Sequence, residues 1–362
     1  MPQPALRREV AEEAVARVEA ALREGYRPQG ISGSGPGAIA YAADKAIKDG
    51  WCNSLGTMQS RLRAAKQAYG LEPDESAYRP RVYLHHSPCA PVIAFQDHIT
   101  EPVPEGAPLR VGVIGDAHDS PHLANKERFY WLGRFMADNK VDRVVSVGDW
   151  WTLDSFSSHT DRATFEGLAK PTFEQDRDSF HASMREFFRG LGGHKPILDV
   201  TLGNHELRAW RWDNFHPEAE PHGPKIEEAF KQWGWRTTPY GQYRFIGGVG
   251  FVHVPLNAIG KPMGGVTGGQ RAANAAMFDV IHGDSHKAQI SVGDKIGPVR
   301  APTIYNAATA LPNGFIEGFA NKGGSTWRSG ACLATIWGGH VREWSFTEMA
   351  LLQHRYGERL AA

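Results

Sequence analysis

Cysteine is scarce in this sequence, with three in 362 residues, at positions 52, 89 and 332. An odd, widely spaced set gives neither a disulfide framework nor a paired CxxC zinc pattern, and it points to a reducing compartment. Net charge is missing as well, forty Lys+Arg standing against forty Asp+Glu. The chain as a whole therefore has no long-range field to draw it onto polyanions or an acidic membrane surface, which excludes a polybasic binder. No apolar run approaches the ~20 residues a spanning helix needs, and the start MPQPALRREVAEE carries acids where a signal peptide would be apolar. A cytoplasmic protein without membrane contact is expected. What is abundant is histidine, with sixteen residues. Several end apolar runs beside Asp, Asn or Gly, a placement that points to metal.

At roughly 150 residues per domain the length suggests two domains, and 41% hydrophobic residues can bury a core in each. Apolar side chains at Val10, Ala14, Val18 and Leu22 recur on a four-residue step and predict an amphipathic helix over 4–24. After a Gly/Ser-rich break, residues 38–49 and 54–70 read as two helices joined by a short turn. Residues 72–108 hold seven of the 23 prolines, which remove backbone donors and fix φ. The expected organisation is a helical domain over 1–72, a Pro-rich linker over 73–108 and a larger domain over 109–362. Within the larger domain LRVGVIGD, VDRVVSVGD, PILDVTLGNH, VGFVHV and MFDVIHGDSH are short apolar runs that stop at polar or glycine-containing turns, with helix-like segments between several of them. They predict buried strands of a layered α/β domain.

Ligands collect at the carboxyl ends of strands in such folds. Here the tails of five successive strands deliver Asp116 and His118, then Asp149, then Asn204 and His205, then His253, then Asp284 and His286. Each piece alone is most often a turn, a cap or a satisfied core residue. The ordered set D-x-H, G-D, G-N-H-E, H and G-x-S-H is far less expected from turns alone.

Over residues 109–345 this set resembles the motifs of the calcineurin-like metallophosphoesterase superfamily. The resemblance implies a layered β-sandwich flanked by helices, here with a small all-α amino-terminal domain. It implies one ion held by Asp116, His118, Asp149 and His286, and a second by Asp149, Asn204, His253 and the residue at 284, with Asp149 bridging. Oxygen and imidazole ligands suit Mn first, with Fe, Zn or Mg as alternatives, and two ions can clamp a phosphate while a bound hydroxide attacks phosphorus. His205 is then expected as proton donor or charge stabiliser at the leaving oxygen, with Glu206 behind it as an orienting group. One position departs from the pattern: the family ends in G-H-[ST]-H, whereas this chain reads Gly283-Asp284-Ser285-His286. A carboxylate there favours a harder ion or marks an impaired site.

The 55 residues from Asp149 to Asn204 leave room for an insertion opening with WWTLDSFSSHT. Trp151, His159 and Arg208 are the candidate substrate contacts, although most of the neighbouring tryptophans are expected in the core. In the amino-terminal segment, residues 54–70 carry Arg61, Arg63 and Lys66 and no acid. The paired helices resemble the helix-turn-helix regions of bacterial and phage regulators, and the combination is similar to phage-type metallophosphoesterases with such a segment ahead of the catalytic domain. That implies Arg and Lys laid against DNA; the rival is a packing or dimerisation domain. The expected function is a dinuclear phosphoesterase, a phosphodiesterase or nuclease acting on nucleic acid or nucleotides. Its rivals are a DNA-binding protein with a degenerate scaffold, and a phosphomonoesterase or protein phosphatase.

Overall fold

A computed structural model describes residues 7–23, 38–73, 99–101, 106–157, 169–265, 267–315 and 326–357. The chain forms two compact units, Met1–Ser87 and Pro88–Ala362. Most of the expected Pro-rich linker, and His159, lie outside the described residues.

The first unit is helical: α1 (Arg8–Arg23), α2 (Ala38–Lys48) and α3 (Leu55–Tyr69). Ala14, Val18, Ala21 and Leu22 of α1 bury against Ala42, Ala43 and Ala46 of α2 and Met58 of α3, the stripe that the four-residue apolar step dictates. Ser54 caps α3 by accepting from the Thr57 N–H, and Gly70 ends it in the left-handed region at φ 68°, where glycine carries no Cβ penalty. Trp51, in the turn between α2 and α3, lies under two guanidinium groups, Arg61 at 4.2 Å and Arg17 at 4.9 Å.

The second unit is a mixed α/β fold of two six-stranded sheets flanked by helices. One sheet carries β2 (Leu109–Ile114), β3 (Arg143–Ser146), β4 (Ile197–Thr201) and β5 (Arg236–Thr238), all parallel, extended on the β2 side by antiparallel β11 (Gly330–Trp337) and β12 (His340–Glu348). The other runs in the order β1 (Ile99–Glu101), β6 (Arg244–Ile246), β7 (Val249–Phe251), β8 (Val280–His282), β10 (Thr303–Ala307) and β9 (Ala288–Val292). Alternation sends Val111, Val113, Val145 and Val147 of the first sheet against Ile246, Phe251, Ile281 and Tyr305 of the second. Ile114, Val144 and Val200 face the other way, onto Phe129 and Leu132 of α4 (Glu127–Asp138) and Phe180, Met184 and Phe187 of α5 (Phe173–Leu191). α6 (Leu207–Phe215) and α7 (Gly223–Gln232) complete that layer with Trp210, Ile226 and Phe230, and α9 (Met349–Tyr356) with Met349 and Leu352. α8 (Gly268–Ala275) covers the far face of the second sheet through Ala272 and Ala273. Among the described residues no helix is long and apolar enough to cross a membrane.

Candidate metal centre

The strands that carry the polar tails belong to both sheets. Asp116, Asp149 and Asn204 lie two to three residues beyond β2, β3 and β4, while His253 follows β7 and Asp284 and His286 follow β8. The site forms where the carboxyl ends of the two sheets meet, so one side of it comes from each. Holding several short turns at one point strains the backbone. Of the seven non-glycine residues with positive φ among the described residues, four are His118, Asp149, Asp284 and His286, and strain of this kind persists where a site over-determines it.

The motif glycines exist because the turns nearly touch. A Cβ on Gly148 would stand 2.6 Å from the Thr201 carbonyl oxygen and 2.7 Å from His253 Nδ1, and one on Gly283 would collide with Asp116 Oδ1.

Two groups of lone pairs converge. In the first, His118 Nε2 and His286 Nε2 are 3.2 Å apart, and His286 Nε2 is 3.0 Å from Asp116 Oδ2. The Asp116 carboxylate is fully buried and accepts no hydrogen bond on either oxygen. A bare buried carboxylate facing imidazole nitrogens is costly unless a cation lies among them. In the second, His253 Nε2 is 2.9 Å from Asn204 Oδ1, 3.3 Å from Asp149 Oδ2 and 3.7 Å from Asp284 Oδ1. His253 Nδ1 donates to the Val147 carbonyl at 2.8 Å, which fixes the ring and aims Nε2 at those oxygens. Asp149 Oδ2 lies between the groups, 3.8 Å from His118 Nε2, while its Oδ1 accepts the His205 N–H at 2.9 Å. The buried Asp116, His118 and His286 together, and His118, Asp149 and His205 together, have the spacing to hold an ion.

The electrostatics agree. Burial alone would raise the Asp149 pKa, yet His253, His205 and His118 hold it well below the usual range. Burial alone would lower His253, yet Asp149, with Asp116 and Asp284, keeps it well above the ordinary imidazole value. The carboxylates around His253 thus favour positive charge at this point. Asp284 is raised by burial, with His253 opposing.

His205 Nδ1 lies 2.9 Å from the Thr152 carbonyl, and its Nε2 is 3.3 Å from Arg208 Nη2 and 3.9 Å from Asp149 Oδ2. Burial, opposed by Asp149 and reinforced by His118 and Arg208, lowers its pKa to about 3. Arg208 itself donates to the Thr152 carbonyl at 2.8 Å and to Asp154 Oδ1 at 3.2 Å.

Two expected roles change. Glu206 does not orient His205: its Oε2 accepts the N–H groups of Asp149 and Gly203, and its Oε1 that of Trp151, at 2.7–3.1 Å. It clamps the Asp149 turn to the Gly203 turn, and the Thr152 carbonyl and Arg208 orient the imidazole instead. Trp151 is not on the rim; it is 1% exposed and stacks on Phe180 with ring centres 4.1 Å apart. His282, next to the departing turn, is buried with Nδ1 on the Gly283 carbonyl, and burial lowers it to about 4. Two neighbours of the site carried no motif in the sequence. The Tyr240 ring centre is 6.2 Å from that of His253, and Trp327 lies edge-on to His286 at 4.2 Å.

No family model matches the chain, and no curated protein does. Among solved structures, the phosphoesterase Yfce from E. coli matches over 66% of this chain and 98% of its own, at 14% identity and a TM-score of 0.30. A likeness that slight carries no argument, and the site is read from its own geometry.

Proposed function

We propose that the chain is a dinuclear metal-dependent phosphoesterase of the calcineurin-like type, acting on phosphodiesters of nucleic acid or nucleotides. One observation carries the reading: buried, donor-poor ligand groups converge from two sides on Asp149 Oδ2, which is 3.3 Å from His253 Nε2 on one side and 3.8 Å from His118 Nε2 on the other. Asp116, His118, Asp149 and His286 would hold one divalent ion, and Asp149, Asn204, His253 and Asp284 the other. The mixed oxygen and imidazole set fits Mn, Fe or Zn, with the Asp284 carboxylate favouring the harder end of that range. Bound there, the two ions would neutralise phosphoryl charge and acidify a water.

The chain's own groups supply the rest. Arg208, anchored on the Thr152 carbonyl and Asp154, turns Nη2 toward the space beside His205 Nε2. A phosphoryl oxygen entering there meets a fixed cation. His205, its other nitrogen anchored at Thr152, is the group that can meet the leaving oxygen. In the amino-terminal unit, α3 presents Gln59, Arg63, Lys66 and Gln67 to solvent, a polar face that suits the major groove. Arg61 is not part of that face. Its guanidinium stacks on Trp51 and donates to the Trp51 carbonyl at 2.8 Å.

The test is ion analysis of the purified chain together with hydrolysis of bis-p-nitrophenyl phosphate, p-nitrophenyl phosphate and single- and double-stranded DNA with Mn added. Two ions per chain and preference for the diester are expected. A chain that binds no ion overturns the reading, and preference for the monoester moves the substrate to phosphomonoesters.

A further inference from the structure

β9 is an edge strand whose polar backbone groups alternate in use. Lys287 and Gly293, just outside it, bond to β10 through Ala308 N–H to Lys287 O and Gly293 N–H to Pro302 O. With the register Ser291↔Ile304 and Gln289↔Asn306, residues 287, 289, 291 and 293 face β10. The N–H and C=O groups of Ala288, Ile290 and Val292 therefore point away from the sheet. Among the described residues, the Val292 carbonyl alone has a partner there, the Gln270 side-chain amide at 2.8 Å.

Natural edge strands are blunted by charge, proline or a covering element, and Ala288-Gln289-Ile290-Ser291-Val292 contains neither charge nor proline. Ile290 and Val292 are each 53% exposed, and Ile296 and Val299 of the following loop are more exposed still. Such an edge is a template for another strand.

We propose that β9 is the self-association surface of this chain, pairing antiparallel with β9 of a second copy across a two-fold axis at Ile290. The register is set by which groups point outward. A two-fold axis perpendicular to the sheet places a residue opposite its own copy, and an outward-facing residue must occupy that position for both N–H···O bonds to form. Ile290 is the central residue that does. Ala288 then faces Val292 of the copy, and each outward N–H meets an outward carbonyl, since a carbonyl already bonded to Gln270 retains a second lone pair.

Charge follows the same symmetry. Lys287 precedes the strand and Asp294 lies two residues past its end, its Oδ2 accepting from Gln270 Nε2 at 3.1 Å, so the antiparallel copy sets the basic start of one strand opposite Gly293 of the other, next to its acidic residue, at both ends of the interface. Ile290 meets Ile290 at the centre and is flanked by Val292 of each chain, which withdraws the exposed apolar groups from water. A second copy fits better than an unrelated peptide because one strand supplies both halves of this match. The pairing also lies four residues from His286, so it would brace the turn that carries Asp284 and His286.

The experiment uses the full chain, with sedimentation to measure association and residue-resolved amide exchange to locate it. The wild type is expected to be a dimer in which the Ile290 and Val292 amides exchange as slowly as those of Gln289, Ser291 and Gly293. Ile290→Lys sets two like charges face to face and should weaken association by ~100-fold or more. It should also release the amides at 290 and 292 while leaving 289, 291 and 293 protected. Ile290→Thr keeps a β-branched residue and should weaken association less, so it remains informative if the lysine variant misfolds. A wild type that stays monomeric at the highest concentration reached overturns the proposal. So does a folded Ile290→Lys that dimerises as well as the wild type.

Discussion

Gly203 lies so close to Asp149 that a Cβ built on it would stand 2.6 Å from the Asp149 backbone nitrogen and closer still to its Oδ1. The glycine of the G-N-H-E run is there for the neighbouring turn and its carboxylate, which sits between the two ligand groups. Gly203→Ala must push the two turns apart, and displacement of a reacting group by about an ångström costs on the order of 10²-fold in rate. Loss of that size together with a reduced ion content is the expected result, read by metal analysis and turnover on one preparation. A variant with full activity and two ions would show that the turns yield without cost.

His205 is expected to act on chemistry more than on ion retention, although its Nε2 stands 3.9 Å from Asp149 Oδ2 and its ring centre 4.5 Å from that of His118. His205→Ala should keep both ions and lose ~10²–10⁴-fold in rate, the range for a side chain positioned for acid–base work at the reacting oxygen. Release of an ion instead would place His205 among the ligands. The measurement is ion content before and after dialysis, beside single-turnover rates.

The candidate ligand motifs other than the lone His253 were legible because each pairs a polar residue just past a strand with a glycine, and the close approaches at Gly148, Gly203 and Gly283 are what those glycines serve. The division of the strands between two sheets was not, since period-two burial gives each strand two faces without saying which sheet lies across from it. Composition could not separate Trp151 from a rim residue, because an aromatic beside a ligand motif reads the same whether it stacks on Phe180 or faces solvent. Glu206 belongs to the site, but its partners are not the imidazole that its place in the motif suggests. Its bonds go to three backbone N–H groups, which no side-chain pattern records. Arg61 reads in the sequence as one more basic residue of α3, and the stacking on Trp51 that withdraws it depends on a fold across the turn.

Asp176 gives a pH dependence that does not involve the ligands. Its Oδ2 accepts the Ser155 N–H at 3.1 Å, its Oδ1 is buried without a partner, and burial, reinforced by Asp154 and Asp119, raises its pKa to about 6 from 3.8. A carboxyl raised on folding binds its proton more tightly in the native state. Its contribution is therefore full below the unfolded value and lost as pH climbs through about 6. At roughly 1.4 kcal/mol per pKa unit this is at most about 3 kcal/mol. Asp176→Asn keeps an acceptor for the Ser155 N–H and removes the titrating group. The variant should flatten the stability profile between pH 4 and pH 7 and exceed the wild type above pH 7 in denaturant midpoint. Parallel profiles for the two proteins would refute the assignment.

Asp284 decides what kind of ion the second position prefers. Its Oδ1 is 3.7 Å from His253 Nε2, and its side chain, 30% exposed, lies on the solvent side of the fully buried His253. It adopts φ 66°, a region Asp enters more readily than most residues. The carboxylate thus has the place of a ligand and adds negative charge to a site that already holds Asp149. A harder, more anionic position should be activated better by Mn or Mg than by Zn, and Asp284→Ala should lose one ion of two. Asp284→His should keep two ions and shift the preference toward softer metals. If the wild type instead binds one ion, and Asp284→His gains a second along with activity, the carboxylate is a defect and the reading of Asp284 as a ligand fails. The surrounding site argues against that outcome. The Asp116 carboxylate is still buried with no hydrogen bond on either oxygen, and the His253 ring is still anchored through the Val147 carbonyl. A site released from binding ions would have no reason to keep a bare buried carboxylate aimed at imidazole, since burying it without a cation lowers stability.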